Sequence, residues 1–175
     1  MSADIGDVFE KQLQDVFRKL NDRHLLQWHA FPDHKRSAGG AVGNQPSDYL
    51  VGLPPGSSLE QRMIFLEAKA SDKYDSLQKS MVRASQRGFI NTWGGLIDLP
   101  YLIVFYSAPA NTLEIWDGQC VTRGRLSKSH HLLATLPNAG SGRTLNQSAV
   151  ADFLATHFAL PPKAITLTQY QSRNP

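Results

Sequence analysis

Cysteine is all but absent from this chain. Cys120 stands alone among 175 residues, so no internal disulfide can form and no thiolate pair is at hand for zinc; a small buried side chain in a reducing compartment is the expectation. Long apolar runs are absent too, and nothing approaches the roughly 20 residues of a membrane-spanning helix. The opening Met1-Ser2-Ala3-Asp4 has neither the basic region nor the apolar core of a secretory signal, so a cytoplasmic location is expected. No segment repeats. The small-residue stretch 37–43 lacks the Gly-Lys-Ser/Thr ending of a phosphate loop and opens no helix, which argues against a nucleotide cofactor. His24, His29 and His34 do not align on a helix, and His130-His131 has no companion ligand, which argues against zinc. No serine or cysteine has a nucleophile's surroundings.

What is present is ordinary in bulk. An apolar fraction of 41% and a charged fraction of 19% fit one globular domain spanning 1–175. The net charge of +3 and pI near 9.1 are compatible with a polyanionic partner without being diagnostic of one. Basic residues gather at His34-Lys35-Arg36, at Lys79, Arg83 and Arg87, and at Arg123, Arg125 and Lys128. Each group sits beside a loop or along one helix, as a solvated face or a set of phosphate contacts would.

Helical spacing of Ile5, Val8, Phe9, Leu13, Val16, Phe17 and Leu20 predicts an amphipathic first helix, with Glu10 at the edge of its apolar stripe. Residues 25–31 read as a strand. Two more follow, one carrying Asp48 and one carrying Glu67-Ala68-Lys69, joined through turn-rich residues 54–58 as a β-meander. Residues 76–92 read as a helix, with Leu77, Met81, Ala84 and Phe89 placed to pack on the sheet and Gln78 and Gln86 as candidate polar contacts. The run 100–106 is the strongest strand, apolar on both faces, reached by a helical crossover and hence parallel to the strand of Glu67. Residues 113–117 suggest a further strand. Beyond 118 the pattern is harder to read, apart from a short helix at 148–158 begun by an N-cap serine, Ser148. Trp28, Trp93 and Trp116 read as core or boundary residues.

The acidic positions are the informative ones. Glu67 and Lys69 lie two apart and share one face of their strand, while Ala68 points the other way. If that strand pairs with the strand of Asp48, two carboxylates and an ammonium converge directly after an apolar run, at the mouth of a sheet. Such a cluster is costly to bury unless a cation and an anionic substrate complete it. A metal-dependent phosphodiesterase is the chemistry this suggests.

The order of helix with Glu10, strand, strand with Asp48, strand with Glu67-x-Lys69, helix with Gln86 and strand resembles the PD-(D/E)XK nuclease superfamily, whose core is αβββαβ. Ser47-Asp48-Tyr49 and Phe65-Leu66-Glu67-Ala68-Lys69-Ala70, followed by Gln86, look most like the RecU-type Holliday junction resolvases and related phage enzymes. The resemblance covers about 4–117. It implies a restriction-endonuclease-like α/β fold, a mixed central sheet flanked by helices, with a C-terminal α-containing extension over about 118–175. It also implies that Asp48 and Glu67 hold Mg²⁺ with the Ala68 carbonyl, Mn²⁺ being able to substitute. Lys69 would orient the attacking water, Glu10 would add to the metal or water shell, and Gln86 would support the site. Lys35, Arg36, Lys79, Arg83 and Arg87 are the DNA-contacting candidates. The implied partner is DNA, branched in the resolvase case, cut by a homodimer to leave 5′-phosphate and 3′-hydroxyl ends. A different nuclease on the same core, restriction-like or acting on flaps or single strands, and an idle DNA-binding protein are the competing readings. The proline of the motif is displaced, as Pro46-Ser47-Asp48, and only 33–43 and 53–62 offer room for the stalk that resolvases of this type insert.

Overall fold

Helix α1 (Ile5–Asp22) starts where Asp4 caps it: the carboxylate accepts from the Gly6 amide at 2.7 Å, satisfying a donor that a helix start leaves open. Ile5, Phe9, Leu13, Val16, Phe17 and Leu20 are all buried. At roughly 1.5–3 kcal/mol for each large apolar side chain, this stripe holds the helix against the sheet. The computed structural model describes residues 4–31, 45–54, 63–93, 99–122 and 126–158. Among these, no helix is long and apolar enough to cross a membrane.

Three antiparallel strands follow α1, as the meander requires: β1 (Gln27–Ala30), β2 (Tyr49–Gly52) and β3 (Met63–Ser71), in a register that pairs Trp28 with Val51 and Val51 with Ile64. The chain then crosses through a 3₁₀ turn (Lys79–Met81) and helix α2 (Ala84–Trp93) to β4 (Tyr101–Ser107). β4 is parallel to β3 and buried at every position, as its unbroken apolar run predicts. β5 (Thr112–Asp117) pairs antiparallel with β4. The architecture is mixed α/β, a six-stranded mixed sheet flanked by helices and consistent with the restriction-endonuclease-like fold.

Two expectations need correction. The helix expected over 76–92 begins only at Ala84, because Val82 is extended and buried and Arg83 occupies the position before the first helical residue. The early start set the wrong phase. Leu77 is buried as expected, but Ala84 is exposed and Met81 and Phe89 are half-buried; Val82 and Ile90 fill the space instead.

The segment past Gly118 is also richer than a helical extension. After a 3₁₀ turn (Gly118–Val121) and the short α3 (Lys128–His131), β6 (Leu132–Pro137) joins the sheet beside β5. A two-strand hairpin, β7 (Gly140–Ser141) with β8 (Thr144–Leu145), leads to α4 (Gln147–His157). α4 is capped by Asn146, whose side chain accepts from the Ala149 amide at 3.2 Å, rather than by Ser148.

The sheet separates two apolar clusters. On one face α1 and α4 share a core with Tyr49, Ile64, Leu66, Ala68, Val104 and Tyr106. On the other, Leu77, Val82 and Ile90 cover Tyr101, Ile103, Phe105 and Trp116. Gln12 fastens the C-terminal hairpin to α1. Its amide donates to the Arg143 carbonyl at 2.9 Å and accepts from the Leu145 amide at 2.6 Å.

Candidate active site

β3 outruns β2, and the site grows from that mismatch. Pairing of the two strands stops at Tyr49 with Leu66, while β3 continues beside β4 as far as Ser71. Beyond Leu66, no strand among the described residues lies on the β2 side of β3, and the Ala68 N–H that points there would be an orphan donor. Asp48, the residue before β2, supplies the acceptor: its Oδ2 takes the Ala68 N–H at 2.9 Å. Its own carbonyl accepts from Phe31 N at 3.0 Å. Because the N–H and C=O of one strand residue project to the same edge, the Ala68 carbonyl also faces Asp48. The charges were expected directly after the apolar run. They lie inside β3 instead, and the opening comes from the shortness of β2.

Alternation turns Leu66 and Ala68 toward α1, and Glu67 and Lys69 toward α2. The Glu67 carboxylate is wholly buried, with partners on both oxygens and acceptor capacity left on Oε2. Oε1 accepts from Lys69 Nζ and Gln86 Nε2, and Oε2 is 3.1 Å from the Tyr101 hydroxyl. Lys69 Nζ also lies 3.9 Å from Asp48 Oδ2, and the Lys69 and Asp48 side chains are each 14% exposed. Two carboxylates from neighbouring strands thus flank one ammonium. Burial raises the Glu67 carboxyl to about 7; Lys69 opposes the rise and the Asp48 charge adds to it.

Tyr101 sharpens this. Its single hydroxyl proton faces two acceptors, the Pro46 carbonyl at 2.9 Å and Glu67 Oε2 at 3.1 Å. When the proton goes to Pro46, the second contact becomes a hydrogen bond only if Glu67 carries a proton of its own. The phenol is itself pushed up by burial and by the charges of Glu67 and Asp48.

Gln86 is oriented by the start of α2. Its Oε1 accepts from the Arg83 amide at 3.0 Å, the third-position half of a capping box. With the oxygen so used, only the NH₂ can face Glu67. Gln78, the other candidate glutamine, is exposed and donates to the Ser76 carbonyl next to it.

A polar cleft opens beside Asp48, lined by Glu10 and Gln14 of α1, Phe31, Gln45, Tyr49 and Arg83. Gln14 donates to the Tyr49 hydroxyl at 3.2 Å, and burial raises the Tyr49 phenol, with the charges of Glu10, Asp48 and Glu67 adding to the rise. Glu10 therefore reaches the cleft of Asp48. It does not complete a cage with Asp48 and Glu67: among the described residues no three His, Cys, Asp or Glu side chains are grouped to hold a metal.

Of the expected DNA contacts, Arg83 is exposed on the rim of this cleft and Lys79 is exposed nearby. Arg87 turns back to donate to the carbonyls of Val82 and Lys79. Lys35 and Arg36 lie outside the described residues, as do Arg123, Arg125 and most of the two candidate insertions.

Sequence reasoning missed Tyr101. The available signal was a hydroxyl opening the most apolar strand in the chain, since a buried tyrosine generally finds a partner for its O–H. It also missed Glu114, a second buried carboxylate, on β5. Ser76 Oγ, Trp116 Nε1 and Lys128 Nζ all donate to it at 3.0 Å. Its three donors occupy both carboxylate oxygens and its lysine is 57% exposed, so among the described residues it forms a closed structural pair rather than a second site.

No family model and no curated protein matches the chain. Among solved structures, the chain is similar to Archaeoglobus fulgidus Hjc, a Holliday junction resolvase from an archaeal hyperthermophile. The two share 13% identity over 81% of this chain and 98% of that one, with a TM-score of 0.42.

Proposed function

We propose that this chain is a metal-dependent endodeoxyribonuclease that hydrolyses phosphodiester bonds, with the four-way junction of recombining DNA as its preferred substrate. The observation that carries the reading is the convergence of the Asp48 and Glu67 carboxylates on Lys69 beside a cleft rimmed by Arg83. A purely structural ion pair has no need of the second acid.

The residues fit Mg²⁺, or Mn²⁺ in its place. Their donors are hard oxygens, the carboxylates of Asp48 and Glu67 with the Ala68 carbonyl beside them. Two carboxylates completed by water and phosphate is the regime Mg²⁺ favours over an all-protein cage. Bound there, the ion would polarise the phosphoryl oxygen and lower the pKa of a coordinated water.

The chain's own groups do the rest. Lys69 holds the attacking water and offsets charge developing on the phosphoryl group. Gln86 and Tyr101 keep Glu67 oriented, and Glu10 orders water in the cleft from the α1 side. Arg83 and Lys79, with Lys35 and Arg36, supply phosphate contacts, while Arg87 braces the segment between Lys79 and Arg83 through the carbonyls of Val82 and Lys79. A homodimer would match the two-fold pseudo-symmetry of a junction, in which two strands of like polarity are cut. The cytosol is the compartment where such a substrate would be met.

The test is cleavage of a synthetic four-way junction against duplex, flap and single-stranded DNA of matched sequence, with Mg²⁺ and with EDTA. Symmetric paired nicks confined to the junction and abolished by EDTA are expected. Equal cutting of the controls would replace junction resolution by a broader nuclease activity. Absence of any metal-dependent cutting would sink the enzymatic reading.

A further inference from the structure

Tyr101 joins a core ring to a site hydroxyl. The ring lies among Phe65 and Phe89, with centroids 6.3 Å away in each case. Its other neighbour is Gly118, at the turn after β5. A Cβ there would stand 2.6 Å from a ring carbon and 2.8 Å from the Tyr101 carbonyl oxygen. Only glycine lets that turn come so close to the ring.

The hydroxyl carried by this ring meets two groups, one in the segment leading into β2 and one on β3. Pro46 lies two residues before Asp48 and has no N–H, so its carbonyl is its only hydrogen-bonding group. Glu67 is the buried carboxylate on β3. Between Pro46 and Asp48, Ser47 is itself buried, its Oγ donating to the Tyr49 carbonyl at 2.8 Å.

We propose that Tyr101 is a positioning residue: its hydroxyl, sharing one proton between the Pro46 carbonyl and Glu67 Oε2, holds the segment carrying Asp48 beside the Glu67 carboxylate, and so fixes the separation of the two acids. The catalytic consequence rests on the nuclease reading; the geometry does not. The Ala68 amide, bonded to Asp48 Oδ2, is a built-in reporter of whether Asp48 stays in place.

Tyr101→Phe removes one oxygen and keeps the ring, so core packing is preserved. Amide hydrogen exchange in this variant is expected to quicken at Ala68 by up to about tenfold, the worth of one buried hydrogen bond, while Val104 in β4 keeps its protection. In DNA cleavage, kcat is expected to fall with KM unchanged. Unaltered exchange at Ala68, or equal quickening at Ala68 and Val104, overturns the proposal whatever happens to cleavage. Selective quickening at Ala68 in a protein whose wild type cuts no DNA upholds the strut and removes the nuclease reading.

Discussion

Single residues at the site trade stability against chemistry in opposite directions. Asp48→Asn keeps an oxygen for the Ala68 amide but removes a charge, and Lys69→Ala removes the ammonium between the acids. Either change is expected to lower metal-dependent DNA cleavage by about 100-fold or more, with the fold and DNA binding largely retained; wild-type rates in either variant would sink the assignment. Glu67 gives a different signature. Its carboxyl is raised in the folded protein to about 7 from an ordinary 4.5, so the fold binds a proton more tightly than the unfolded chain does. The associated stability is fully present below pH 4.5 and is lost as pH rises through about 7. Glu67→Gln cannot titrate. In metal-free buffer the variant should gain on wild type by on the order of 2–3 kcal/mol between pH 4.5 and pH 8, read from denaturant midpoints. Parallel pH profiles for the two proteins would refute this.

Among the elements, α2 depends on one side chain for both its start and its function. Gln86 caps the Arg83 amide and donates to Glu67. Gln86→Ala is therefore expected to cost about 1–2 kcal/mol through the lost cap and the under-satisfied carboxylate, whereas exposed Gln78→Ala should stay within about 0.5 kcal/mol. Comparable losses from both, measured by thermal unfolding, would contradict the distinction. The same helix shows where sequence stops being legible. α1, the meander, β4 and β5 were readable because each carries a periodic or continuous apolar pattern. α2 was displaced because residues 76–83 contain apolar side chains at nearly helical spacing, although tertiary burial of Leu77 and Val82 holds them in irregular backbone. β6 escaped notice because only alternate positions are partly covered and Pro137 ends it at the sheet edge. Proximity of Asp48, Glu67 and Lys69 followed from strand pairing alone. The role of Tyr101 did not, since it depends on a turn that only Gly118 allows to approach.

The whole molecule closes on its C-terminal part. Ala139, Leu145, Val150, Ala151, Leu154 and Phe158 belong to the same apolar cluster as Phe9, Leu13 and Phe17, and Gln12 is satisfied by backbone from residues 143 and 145. A chain ending at Asp117 retains every residue of the candidate site but leaves the stripe of α1 half-covered. It is expected to lack a cooperative unfolding transition, and a sharp thermal melt of that fragment would show the cover to be dispensable. The arrangement has a bearing on synthesis. A ribosome releases the acids of the site long before it releases the residues that seat α1, so a chain still being made exposes an incomplete core and a cleft without its Glu10 wall. The site proposed for DNA cleavage would thus be completed only once α4 has been made, and a prematurely terminated product would carry its acids on an unfinished fold.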